Sequence, residues 1–123
     1  MAAEGTQFMT RAITPTFQGN RLLIEHTGLY GESTNVGGAV ALFQDSVASA
    51  IAVMILAQSG GAPGKTAHAL LRHEMAAGTT SATTFKIRAG LASAGTINFN
   101  AYNNAAVFLI TSASSLRVTE IFI

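Results

Sequence analysis

Cysteine is absent from the 123 residues, so there is no disulfide framework and no thiol chemistry. Charge is scarce. Only 11 % of the residues are Asp, Glu, Lys or Arg, against about 25 % in ordinary soluble domains, while 49 % are hydrophobic. The seven basic and six acidic side chains leave a formal charge of +1. That balance gives no electrostatic footprint for nucleic acid or an anionic membrane. A small monomer with so few charges would expose much neutral or apolar surface, and the simplest resolution is burial against other chains.

Targeting segments are missing too. Met1-Ala-Ala-Glu-Gly-Thr has neither the basic start nor the apolar core of a secretory signal. The one membrane-like stretch, Val36 to Ala57, carries Gln44, Asp45, Ser46 and Ser49 at its centre. A central Asp alone costs about 3 kcal/mol on insertion scales, which argues against a span. The expectation is a soluble protein made and used without secretion, large enough at this length to bury one core.

What is present reads as short strands. The richest segment runs from His68 to Gly90. In its second half Phe85, Ile87 and Ala89 alternate with Lys86 and Arg88, one face apolar and one basic. In its first half Leu70 shares a face with Arg72, and Leu71, His73 and Met75 point the other way. Joined by a small hydroxyl-rich turn, the two halves are expected to form a hairpin.

Upstream, a strand from Phe8 should end before Pro15, because a residue preceding proline is pushed to extended geometry. Leu22, Ile24, His26 and Tyr30 share one face of the next strand. Apolar runs at Ala39–Gln44 and Ile51–Leu56 follow. Downstream come Gly95–Ala101, with Ile97 and Phe99 inward, then Val107–Ile110 and Leu116–Phe122. Helical readings compete at Ala39–Ala57, where an apolar helix could run from Ser46 to Gln58, and at Thr66–Ala77, both rich in Ala, Leu and Met, but the short connections favour strands. Turn signals every 10 to 12 residues or so predict an all-β, antiparallel sandwich of about eight strands. Residues 1–10 are expected to be an N-terminal arm and 11–123 a single sandwich domain. In that arm Phe8 and Met9 are two apolar side chains that would order in a groove of a neighbouring subunit.

Four constellations invite chemistry. Ser59-Gly-Gly-Ala-Pro-Gly-Lys-Thr66 looks like a phosphate loop, but Ser59 stands where the first glycine belongs and Gly60 is one residue too close. It reads as a β–β loop. His68 and His73 point to opposite faces of a strand and cannot share a metal, and each histidine, His26 included, is expected to be a partly exposed strand residue. No Gly-x-Ser-x-Gly elbow supports a serine nucleophile. Asn98, Asn100, Tyr102, Asn103 and Asn104 could contact a sugar through amide hydrogen bonds and ring stacking, although an edge strand followed by an Asn-Asn turn needs no ligand. No catalytic residue, metal ligand or cofactor site is expected.

Five segments carry a resemblance: Ile13–Glu25, Ala41–Ser46, Leu71–Gly90, Gly95–Asn100 and Ser115–Ile121. In that order they resemble a family of small jelly-roll domains of tailed bacteriophages, most specifically in the Gly78-to-Arg88 block and the terminal Val-Thr-Glu-Ile. The resemblance covers nearly all of the chain from about Gln7. It implies a jelly-roll fold, no catalysis, and assembly as a homotrimer, either as a capsid decoration (cement) protein or as the knob of a tail fibre. The first is expected here, because no repetitive shaft precedes the domain. Its partners would be further copies of itself and the major capsid protein, on the outer surface of the virion after assembly in the host cytoplasm. Phe8, Met9, Arg11 and Phe17 are the expected capsid or subunit contacts. In the fibre alternative, Asn98, Asn100, Tyr102 and Asn103 would meet a host surface glycan.

Overall fold

From Thr83 to Leu91 every second side chain is buried, and that period of two is the organising fact of the molecule. A computed structural model describes residues 5–32, 37–56, 65–92, 95–99 and 114–123. Eight strands run through them: β1 Thr6–Ile13, β2 Arg21–Glu32, β3 Gly38–Gln44, β4 Ala52–Leu56, β5 Lys65–Ala76, β6 Thr83–Leu91, β7 Ile97–Phe99 and β8 Ser115–Ile121. They form two antiparallel sheets. The first has the order β1-β6-β3-β4; in the second, β2 pairs with β5 on one edge and with β7 and β8 on the other. This is the all-β, antiparallel sandwich expected from the sequence. Strands, not a helix, occupy 38–44, 52–56 and 65–76.

The core lies between the sheets. Leu22, Ile24 and Tyr30 of β2 face Val40 and Leu42 of β3 and Phe85 and Ile87 of β6, all without solvent exposure. Each such aliphatic or aromatic side chain contributes about 1.5–3 kcal/mol by leaving water.

Three expectations need correction. His68–Gly90 is not a hairpin: β5 pairs with β2 and β6 with β1 and β3, so the two halves lie in opposite sheets. The link between them is six residues long and is tied elsewhere. The Ala77 N–H donates to the Asn20 carbonyl at 2.8 Å and the Gly78 N–H to the Gln18 carbonyl at 2.9 Å. Gly78 sits at φ 68°, a left-handed turn that favours glycine.

Residues 6–10 belong to a strand, not to an arm. Thr6 to Thr10 already pair with β6, and a β-bulge between Gln7 and Met9 breaks the register. Strict alternation would send Phe8 and Met9 to opposite faces; the extra residue lets both pack on the core. The Phe8 ring lies 5.8 Å from Tyr30, edge-on, and 5.0 Å from Phe99. Both side chains thus pack, half-buried, against the core of their own subunit.

His26 is fully buried, not partly exposed. Gly28 makes room for it. His26 and Tyr30 lie on the same face two residues either side of Gly28, and their rings close over it. The Ser115 carbonyl can only accept, so His26 Nδ1 donates to it at 2.9 Å. Nε2 then accepts from the Tyr30 hydroxyl at 2.8 Å. Burial holds the imidazole pKa below its usual value, against the opposing pull of the Ser115 carbonyl, and burial pushes the Tyr30 hydroxyl up.

Candidate assembly surface

An antiparallel sandwich ordinarily wears polar side chains on the outer faces of its sheets. β3 and β4 do not. Their sequences, Gly38-Ala-Val-Ala-Leu-Phe-Gln44 and Ala52-Val-Met-Ile-Leu56, are apolar at inward and outward positions alike. Register turns this pattern into a surface. Ala41 pairs with Arg88 on one side and Val53 on the other; Ala39 pairs with Gly90 and Ile55. The outer face of the first sheet thus has a floor of Ala39, Ala41 and Gly90 beside a wall of Val53 and Ile55, which are 59 % and 73 % exposed. Two shallow grooves of about 390 and 280 Å³ run over it and share Ala39 and Gly90 in their linings.

One edge of this face is basic. Arg88 lines the larger groove, with its guanidinium carbon 5.6 Å from the centroid of the Phe43 ring. Phe43 points outward by alternation and is still only 4 % exposed. The turn after β3 contributes to covering that end: Ala48, Ser49 and Ala50 line the same groove. Asp45 fixes the turn at φ 50°. Its carboxylate accepts from the Thr84 N–H at 2.8 Å and the Thr83 hydroxyl at 3.1 Å, and the Lys86 ammonium donates to its backbone carbonyl.

The outer face of the second sheet is different. There Glu25 sits in register between Arg72 and Arg117, and Arg21 bridges Glu74 at 3.1 Å. Exposed pairs like this one contribute little, about 0–1 kcal/mol. Leu70, 63 % exposed, and Ile121, 38 % exposed, lie on this outer face as well, so the two faces differ in the charge they carry rather than in the presence of apolar side chains.

The sequence-expected contacts fall outside the apolar face. Phe8 and Met9 are half-buried against the core as described. Arg11 is exposed on β1, in register with Phe85 at the sheet edge. Phe17 is 59 % exposed on the turn before Asn20. Asn98 lies in β7, paired with Gly31; its side chain, and Asn100, Tyr102, Asn103 and Asn104 altogether, lie outside the described residues. So do Ser59 to Gly64 of the phosphate-loop look-alike, whose Lys65 and Thr66 begin β5. His68 is exposed and His73 half-buried, and among the described residues no cluster of three His or acidic side chains could hold a metal. No helix among them is long and apolar enough to cross a membrane.

Residues that sequence reading passed over are Ala39, Ala41, Val53, Ile55 and Gly90. Their signal was available: two runs without period-two polarity, as in strands covered on both faces. In comparisons with models of protein families and with curated proteins, no family model and no curated protein matches the chain.

Proposed function

We propose that this chain is a structural virion protein of a tailed phage, a homotrimeric decoration (cement) protein lying on the outer surface of the head. The observation that carries the reading is the outer face of β3 and β4, apolar where a solvated sandwich would be polar. The resemblance of five ordered segments to small phage jelly rolls supplies the context. The first partner is the chain itself, and the second is the major capsid protein. No catalytic step, cofactor, nucleic acid or membrane enters the reading.

The mechanism is mechanical. A trimer touching several coat subunits engages each of them through the same modest contact. Once one contact forms, the others become intramolecular, and the combined attachment can exceed any single one by about 10²–10⁴. Attachment of that kind resists the pressure of packaged DNA by holding neighbouring coat subunits together. A virion reconstruction tests it. Density for this chain at contacts between head capsomers supports the proposal, and density confined to the tail overturns it.

One feature favours a second reading, a receptor-binding fibre tip. Phe99 pairs with Tyr30 and Ser115 with Thr27, so chain positions 99 and 115 meet β2 only three residues apart. Residues 100–113, which include Asn100, Tyr102 and Asn103, join those two positions in the chain and lie outside the described residues. Binding of a host glycan that is lost on Tyr102→Ala would favour this reading.

A further inference from the structure

At one end of the sandwich a second apolar patch is held rigidly. Asn20, itself 2 % exposed, donates through Nδ2 to Glu120 Oε1 at 2.9 Å, and its Oδ1 accepts from the Ile123 N–H at 3.3 Å. The same Glu120 oxygen accepts from the Thr16 N–H at 2.9 Å and the Thr16 hydroxyl at 3.0 Å. This knot locks the 16–20 turn against the end of β8. Projecting from it are Phe17, Phe122 and Ile123, which are 59 %, 72 % and 85 % exposed. Two aromatic rings on a pre-organised base, with a carboxylate beneath them, have the make-up of a binding anchor.

The groove on the first sheet is the complement: small residues for a floor, Val53 and Ile55 for a wall, and Arg88 at its edge. Within one chain the two cannot meet. Ile13 pairs with Thr83 just before the 14–20 connection, so the knob shares that end of β6. Gly90, in the groove, is seven residues further along, about 23 Å at 3.3 Å per residue.

We propose that the Phe17–Phe122–Ile123 knob of one copy seats in the Ala39–Gly90–Ile55 groove of the next copy, with Glu120 facing the Arg88 side. This rests on the homotrimer reading above and specifies its interface. Two different patches meeting head to tail make a heterologous contact, which closes as a ring rather than pairing face to face. Charge and area both fit. A carboxylate on the knob meets a guanidinium beside the groove. Phe17 and Phe122, 59 % and 72 % exposed, have about 200–330 Å² left to bury between them on a scale of 150–250 Å² per ring, about a quarter to two fifths of the roughly 800 Å² per partner of a stable interface.

Because the chain has no cysteine, crosslinking gives a clean test. Ile55→Cys and Phe122→Cys both alter exposed side chains and should fold. Mixed in equal amounts and oxidised, they are expected to yield a covalent heterodimer that neither yields alone, and the double variant a ladder ending at three chains. Phe122→Asp should raise the concentration at which the assembly dissociates by about tenfold or more, the loss expected when an anchor is removed. Light scattering separates the failures. A trimer with no Ile55–Phe122 crosslink, or with Ile55→Cys crosslinking to itself, overturns this interface and leaves the proposed function standing. A monomer overturns both.

Discussion

Replacing Gly28 with alanine should be among the most damaging single-methyl changes in the molecule. A Cβ built there would lie 2.7 Å from His26 Nε2, 2.9 Å from His26 Cε1 and 2.8 Å from Tyr30 Cε2. All three distances are shorter than real Cβ contacts, and neither ring has space to withdraw, since both side chains are fully buried. Overpacking of this kind costs about 1–3 kcal/mol. Forcing the rings apart also breaks the 2.8 Å bond between them and strands a buried acceptor, about 1–3 kcal/mol more. The expected loss is therefore about 2–6 kcal/mol, read as a lower urea midpoint at unchanged slope. Tyr30→Phe alone should cost about 1–3 kcal/mol, by leaving His26 Nε2 without its donor. The double variant should lose less than the two single losses added, because both act on the same bond. A Gly28→Ala variant within 0.5 kcal/mol of the parent would refute the closed His26–Tyr30 arrangement.

Three further outcomes follow from named contacts. The folded state holds His26 below its ordinary pKa of 6.5, so it binds fewer protons than the unfolded chain as pH falls below that value. Stability should then decline on acidification below pH 6.5, by at most about 1.4 kcal/mol per pH unit for this one proton. Urea midpoints at pH 7.5 and 5.5 measure it, and an undiminished slope in His26→Gln would contradict the assignment. Asn20→Ala should lower stability by about 1–3 kcal/mol, since it removes a buried amide that joins the 16–20 turn to Glu120 and Ile123; chemical denaturation reads it. Lys65→Ala should change stability by less than about 0.5 kcal/mol. Neither it nor the parent should bind ATP or GTP in calorimetry, because the Ser59–Thr66 spacing does not match a phosphate loop.

Strand identity was legible where a period of two could be read directly. β6 announces itself through Phe85, Ile87 and Ala89 against Lys86 and Arg88, and β2 through Leu22, Ile24, His26 and Tyr30. Which strand pairs with which was not legible. Nothing local in Met75–Thr83 says that the chain changes sheets, because the decision lies in bonds to Gln18 and Asn20, some sixty residues away. The bulge at Phe8 was hidden for a related reason. Two adjacent apolar residues fit a loose arm as well as an irregular strand until the partner's register is known. The burial of His26 had a local sign, the His-x-Gly-x-Tyr pattern of 26–30, which is read correctly only when glycine is taken as space for neighbouring rings. The apolar outer face had a sign as well, the unbroken runs of β3 and β4, but it becomes a surface only when Ala39, Gly90 and Ile55 are brought into one row.

Light scattering of the purified chain at micromolar concentration, without any coat protein, tests the central claim most directly. An assembly that uses the outer face of the β1-β6-β3-β4 sheet should scatter as three times the 12.7 kDa chain mass. Ile55→Glu, which places a charge on the exposed wall of that face, should shift it toward a single chain. A parent protein that stays at 12.7 kDa would contradict the account.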